Sequence, residues 1–389
     1  SASNQYFHGN VQNQLSFDRR FGDHSVKAVA AYEAELYTNK TMSMTGIGNV
    51  GDDKIKTLKG KTISPDDAVN NIASYSFASW LVRTQYSYKG RYMISASIRG
   101  DGSSRFAPKT RWGYFPAVSV GWRISDEPFM RRADWISDMK LRASVGRTGN
   151  AQIGNSEYLA LYGTSTLYVG NGSSIASQVY PSQIENGDLG WEKNTQYDAG
   201  LDATLWKGLF GLTVDGYYSR TTDMLFEIPV PSVSGLTTSN MNIGAMQNVG
   251  VEISVSSRKQ FASGFFYDFS ANWSLNRNKV LHTDAEDAPI IKTGSYSGAY
   301  YITEVGQPVG CYYLLKQCGV FHNQEELDSY PHFLGTGVDQ TQVGDFKFVD
   351  ANGDGILSQT DDRVIVGNYM PDFFYGFGFT LGYKGLDLQ

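Results

Sequence analysis

One stretch near the end of the chain carries spacing that could hold a metal ion. Asp350-Ala-Asn352-Gly-Asp354-Gly355-Ile356-Leu-Ser358-Gln-Thr-Asp361-Asp362 sets oxygen-bearing side chains at alternate positions. Counted from Asp350, Asn352 and Asp354 are third and fifth, Gly355 sixth, the Ile356 carbonyl seventh and Asp361 twelfth. This is the spacing of a calcium loop, in which hard oxygens ring a hard cation and glycine permits the sharp turn. Asp361 stands where such loops usually carry a bidentate glutamate, and no flanking EF-hand helices are visible. An Asx-rich turn that needs no metal therefore stays open beside structural Ca2+. In either case the loop orders backbone and performs no catalysis.

Catalytic patterns are lacking elsewhere, and the chain reads as no enzyme. His8, His24, His282, His322 and His332 are scattered, with no H-E-x-x-H spacing, nucleophile elbow or P-loop. The carboxylate pairs Asp52-Asp53 and Asp66-Asp67 read as solvated loop residues. Gly46-Ile-Gly48 is turn chemistry, since no βα unit surrounds it. Cys311 and Cys318 suit no zinc motif; a local disulfide and two free thiols both remain open. Tyr158, Tyr162, Tyr168, Tyr180, Tyr296, Tyr300 and Tyr301 could stack on a sugar or peptide, or pack loops on one another.

The elements that must hold these residues are strands. The chain has 389 residues, a formal charge of -6, 25 Tyr and 42 Gly. That charge gives no footprint for nucleic acid, and no run of 18 apolar residues exists to make a membrane helix. Strands that alternate apolar and polar residues look hydrophilic on average, so a β-barrel is not excluded. Phe373, Tyr375, Phe377, Phe379, Leu381 and Tyr383 form one bulky face against Phe374, Gly376, Gly378, Thr380 and Gly382. Tyr267, Phe269, Ala271, Trp273 and Leu275 likewise oppose Asp268, Ser270, Asn272, Ser274 and Asn276. The polar faces carry charge and amide, as a wet lumen requires.

The periodicity predicts about eleven strands, near 7–20, 25–36, 74–88, 91–100, 112–124, 139–147, 191–205, 209–220, 248–258, 265–277 and 373–384. Short connections at 21–24, 89–90, 206–208 and 259–264 alternate with long ones at 37–73, 149–190, 221–247 and 278–372. Such parity belongs to an outer-membrane barrel and not to a Greek-key sandwich. Two connections fit less well: 101–111 is short for its side and 125–138 is long. Tyr88-Lys89-Gly90, Trp206-Lys207-Gly208 and Tyr383-Lys384-Gly385 place an interfacial aromatic, a charged anchor and a turn residue at short turns. Helix is expected only as a short piece in Asp126–Asp138 and a single turn at 324–329.

A family resemblance enters at Arg91–Phe106 with its Gly-Asp101-Gly-Ser-Ser-Arg105-Phe106, Phe115-Pro116 and Gly121-Trp122. It continues through Lys140–Gly146 with Thr148-Gly-Asn150, Leu189-Gly-Trp191-Glu192-Lys193, and Gly344–Asp350 running into the calcium-like loop. These stretches resemble the SusC-like TonB-dependent outer-membrane transporters of Bacteroidetes. The resemblance implies an all-β transmembrane antiparallel barrel of 22 strands with long extracellular loops and short periplasmic turns. It also implies an N-terminal plug, TonB coupling through that missing part, a SusD-like surface lipoprotein lid, and import of oligosaccharides or peptides across the outer membrane of a Gram-negative bacterium. No plug or TonB-contacting box is recognisable here, so 1–389 is expected to be a partial, C-terminal barrel domain in outer-membrane lipid. Within it, 278–372 is expected to be one extracellular excursion containing the calcium-like loop. Two other readings are a complete passive pore of about twelve strands and a soluble calcium-dependent lectin or adhesin.

Overall fold

Residues that alternate in character along a chain bury or expose a whole face at once, provided that each strand finds neighbours for its backbone groups. The computed structural model describes residues 2–47, 62–169, 174–230, 235–236, 238–283, 286–294, 299–333 and 341–389. In chain order the strands are β1 Ala2–Phe21, β2 His24–Ile47, β3 Thr62–Tyr88, β4 Tyr92–Ser103, β5 Trp112–Arg123 and β6 Ile136–Asn150. Next come β7 Leu161–Val169, β8 Ser174–Gln183, β9 Glu192–Leu205, β10 Phe210–Thr222, β11 Leu225–Pro229, β12 Thr238–Asn242, β13 Ala245–Gln260 and β14 Phe265–His282. The last group is β15 Ile290–Thr293, β16 Tyr300–Thr303, β17 Cys311–Leu315, β18 Gln317–Val320, helix α1 Gln324–Ser329, β19 Phe346–Phe348, β20 Arg363–Gly367, β21 Phe374–Tyr383 and β22 Leu386–Leu388.

One antiparallel sheet of twelve strands dominates, in the order β1-β2-β3-β4-β5-β6-β9-β10-β13-β14-β21-β22. Register carries one face across the whole sheet. Val145 pairs with Tyr197, Tyr197 with Tyr218, and Tyr218 with Val249, all apolar or aromatic. Trp273 pairs with Tyr375 and Phe269 with Phe379, and Phe377 is 77% exposed on that face. One residue along, Ser144 pairs with Asp198 and Asp198 with Tyr217, opening the polar face.

Several expectations change. The sheet has twelve strands and not eleven, because the three residues of β22 pair with β21. The connection expected at 37–73 is mostly strand, since β2 runs on to Ile47 and β3 begins at Thr62. At 24 and 27 residues, both exceed the roughly 10 residues that cross a bilayer. Toward their long-connection ends the apolar alternation fades. The long connections 149–190 and 221–247 contain the hairpins β7–β8 and β11–β12. The excursion 278–372 holds a sheet in the order β15-β16-β17-β20, a β18–β19 pair and α1. The expected helix within Asp126–Asp138 is instead two 3₁₀ turns, Ile124–Asp126 and Pro128–Arg132. Pro128 offers no N–H and holds Glu127 extended, at φ -77° and ψ 145°, which interrupts the helix.

The aromatic-Lys-Gly turns reverse the chain through left-handed residues. Lys89 and Gly90 have φ of 55° and 66°, and Lys384 and Gly385 have 48° and 91°. Paired positive φ values match the twist of flanking strands, which is why glycine fills the second place. Lys89 lies over the Tyr88 ring at 5.3 Å and Lys384 over Tyr383 at 5.1 Å.

The facing of β21 is open to test. Phe377→Arg is expected to cost about 2–4 kcal/mol of folding into a bilayer, and Thr380→Arg on the polar face under about 1 kcal/mol. Urea titration of the full-length protein in phospholipid vesicles, read by heat-modifiable mobility, checks this; equal costs would contradict the assigned faces.

Candidate functional site

The calcium-like loop lies between β19 and β20. Asp350 accepts hydrogen bonds from the amides of Gly353 at 2.7 Å and Gly355 at 2.8 Å. Asn352 accepts from the Asp354 amide at 3.0 Å, and Asp354 from the Ile356 amide at 2.8 Å. Gly353 and Gly355 take φ of 75° and 82°, as the tight winding requires. Asp361 is exposed and accepts from the Ser358 hydroxyl at 3.2 Å. Its neighbour Asp362 is the clamp: fully buried, it accepts from the amides of Ser358, Ala351 and Asn352 at 2.7, 2.8 and 3.4 Å. These backbone donors, Ser358 foremost, hold the Asp362 carboxyl below the usual carboxylate range. The loop thus offers only hard oxygen donors, which suits a hard cation. Among the described residues, no three His, Cys, Asp or Glu side chains already converge as a metal cluster.

The remaining candidates disperse. Cys311 is buried and Cys318 exposed, and both are free thiols, so the disulfide is not formed. Burial pushes the Cys311 thiol up. Tyr158 packs against the buried cluster described below, whereas Tyr162 and Tyr180 are exposed on β7 and β8. The Tyr300 ring lies 3.4 Å from the Arg363 guanidinium, and Tyr301 packs on Tyr312 at 5.6 Å. Tyr296, Gly48, Asp52 and Asp53 lie outside the described residues, as do the side chains of Tyr168, Asp66 and Asp67.

The residues that carry the family resemblance do converge, although they are far apart in sequence. Phe106, Phe115, Ala151, Leu189 and Trp191 form one buried cluster at the long-connection end, with Phe77 packed on it. Trp191 is its hub, with ring centroids 5.3 Å from both Phe106 and Phe115. Its indole donates to the Arg111 carbonyl at 2.9 Å, and the Thr110 hydroxyl donates to the Leu189 carbonyl at 2.6 Å. A Cβ at Gly149 would stand 2.1 Å from the Phe115 ring, so glycine is required there. Arg105 donates to Asn155 and to the Ala151 carbonyl, both at 3.2 Å, while its guanidinium covers Tyr75 at 4.3 Å. Tyr75 stacks in turn on Tyr37 at 5.0 Å.

Below this cluster the polar face carries mixed charge. A cavity of about 670 Å³ is lined by Glu33, Glu35, Arg99, Asp101, Arg105 and Phe77. Deeper, Arg142 meets Asp198 at 3.4 Å, Asp202 at 3.1 Å and Asp215 at 2.6 Å. The sequence reading missed Arg142 and Tyr75. The signal for both was the strand parity that places them on the same face as Asp198 and Phe77.

A family model described as TonB dependent receptor-like, beta-barrel, matches residues 1–382. The chain belongs to that family. TonB-dependent receptor P39 of Formosa agariphila is 32% identical over 413 residues, covering 98% of this chain and 38% of that protein. TonB-dependent receptor SusC of Bacteroides thetaiotaomicron is 28% identical over 334 residues, covering 81% of this chain and 30% of that protein. The structure of the RagAB peptide transporter shares the fold, with a TM-score of 0.80 at 24% identity over 99% of this chain and 41% of its own. The TonB-dependent barrel lies in the outer membrane of a Gram-negative bacterium, where barrels turn an apolar face outward and a polar face inward. A soluble lectin or adhesin is thereby set aside.

Trp191→Ala is expected to destabilise the barrel by about 3–5 kcal/mol through the cavity it leaves. A lowered urea midpoint in vesicles checks this; a midpoint within error of the parent would remove the cluster from the fold's support.

Proposed function

We propose that this chain is barrel wall of a SusC-like TonB-dependent importer of oligosaccharides or peptides, working beneath a SusD-like surface lipoprotein. The carrying observation is the wall itself: a twelve-stranded sheet, apolar on one face and charged on the other, whose edge strands β1 and β22 do not pair with each other among the described residues. Unpaired edges are not tolerated in lipid, so further strands of the same protein close the ring. The chain's share of its relatives, 38% for P39, leaves room for those strands and for a plug through which TonB would act. The similarity to SusC, through the family resemblance, and the shared fold of the RagAB peptide transporter support nutrient import.

In this reading the chain makes and breaks no bonds. The lumen face, with Arg142 among its three aspartates, provides a wet passage. The folded excursion 278–372 offers the lipoprotein a surface at the mouth. A complete passive pore is the rival. Deletion of the gene is expected to abolish uptake of a labelled oligosaccharide or peptide, and a protonophore to abolish it in the parent strain. Uptake that survives collapse of the proton gradient would establish the passive pore.

Calcium belongs to the same proposal. Asp350, Asn352, Asp354 and Asp361 side chains with the Ile356 carbonyl would hold the ion, which would rigidify the excursion. Millimolar Ca2+ is expected to slow amide exchange across 350–361 in the full-length receptor, and Asp350→Asn/Asp354→Asn to remove that response. No slowing in the parent would leave the loop an Asx turn held by its own side-chain-to-amide hydrogen bonds and Asp362.

A further inference from the structure

We infer that the connection 124–135, between β5 and β6, is an interfacial anchor that grips phospholipid phosphodiesters in the periplasmic leaflet. This rests on the barrel's place in the membrane and not on what it transports. The other connections at this end are tight: Phe21 pairs with His24, and the turns at Lys89-Gly90 and Lys384-Gly385 need two central residues. Chain reversal therefore does not call for the length of 124–135.

The extra residues fold back over the lipid face. Glu127, 7% exposed, accepts from the Trp122 indole at 3.0 Å and from Arg91 at 3.1 Å, and also from the Tyr92 hydroxyl. Trp122 and Tyr92 are cross-strand partners, in line with Val120 and Ile94 of the lipid face. The Tyr92 and Trp122 hydrogen bonds hold the Glu127 carboxyl below the usual carboxylate range, so it stays ionised beside Arg91. That lock sets Phe129 against Trp122 at 6.5 Å while leaving it 63% exposed. At the other end of the connection, Trp135 packs on Trp206 at 5.8 Å and Trp206 on Phe210 at 5.5 Å. Trp135 and Trp206 are half exposed. The result is an aromatic band continuous with the lipid-facing belt, the environment in which amphipathic rings are favoured.

Arg131 and Arg132 stand exposed directly after Phe129-Met130, and no acidic partner is found for either among the described residues. Asp126 and Asp134 are the other exposed charges of the segment, Lys207 follows Trp206, and Arg123 is paired with Asp138 at 3.3 Å. Guanidinium forks match the two free oxygens of a phosphodiester, and they do so at the depth where Phe129 and Trp135 enter the interface.

The test compares amide exchange of 124–135 in the full-length receptor in phosphatidylethanolamine/phosphatidylglycerol nanodiscs and in maltoside micelles. Exchange is expected to be about tenfold slower in the bilayer. Phe129→Ser/Arg131→Gln/Arg132→Gln should lose that protection, and Arg131→Gln/Arg132→Gln with Phe129 kept should lose most of it. Unchanged exchange in β6 and β9 would confirm that the variants fold. Equal exchange in bilayer and micelle, or protection that survives both variants, would overturn the inference. So would protection by inorganic phosphate in micelles, which would indicate a soluble-anion site instead of lipid.

Discussion

Inside a bilayer, each backbone N–H and C=O must be paired within the protein, and that requirement governs everything else here. Strands can meet it only laterally, so each inner strand takes two neighbours and the chain becomes a continuous ladder from β1 to β22. Once the ladder is fixed, side chains have two destinations, lipid or lumen, and successive residues must alternate between them. Phe377 beside Gly376 and Gly378, or Leu201 beside Gly200 and Asp202, follow from this single constraint.

The constraint relaxes at the upper rim, where water reaches both faces. Order there comes from ordinary close packing. Trp191 gathers Phe106 and Leu189 from two separate connections and Phe115 from β5, and Gly149 and Gly113 give up side chains to admit the Phe115 and Trp191 rings. Arg105 extends the cluster toward the lumen through Tyr75 and Tyr37. The stretches that resemble the family most are therefore those that tie strand ends together above the lipid. The excursion 278–372 leaves the sheet elsewhere, between β14 and β21.

How far the sequence could be read follows the same division. Strand positions in the membrane zone were plain in β9, β14 and β21, because lipid and water impose a period of two. The upper halves of β2 and β3 were not, since polar residues such as Thr38, Asn39, Lys40 and Ser74 fall on both faces there and leave no apolar period. The three residues of β22 are too few to show one. Hairpins β7–β8 and β11–β12 were hidden because they lie within the long connections, outside the main sheet. Spacing alone picked out Asp350, Asn352 and Asp354 but could not separate Asp361, which is exposed, from the adjacent Asp362, which is buried. Helical composition in 126–138 was outweighed by one backbone restriction at Pro128.

The central claim is that one face of this sheet meets lipid and the other meets water. Nitroxide accessibility in the full-length receptor, with Cys311 and Cys318 replaced and single cysteines placed along β6, β13 and β21, measures it directly. Labels at positions 145, 253 and 377 should collide readily with oxygen, and labels at 144, 254 and 380 with a water-soluble nickel chelate. A pattern without that alternation, or with the two sets exchanged, would contradict the account.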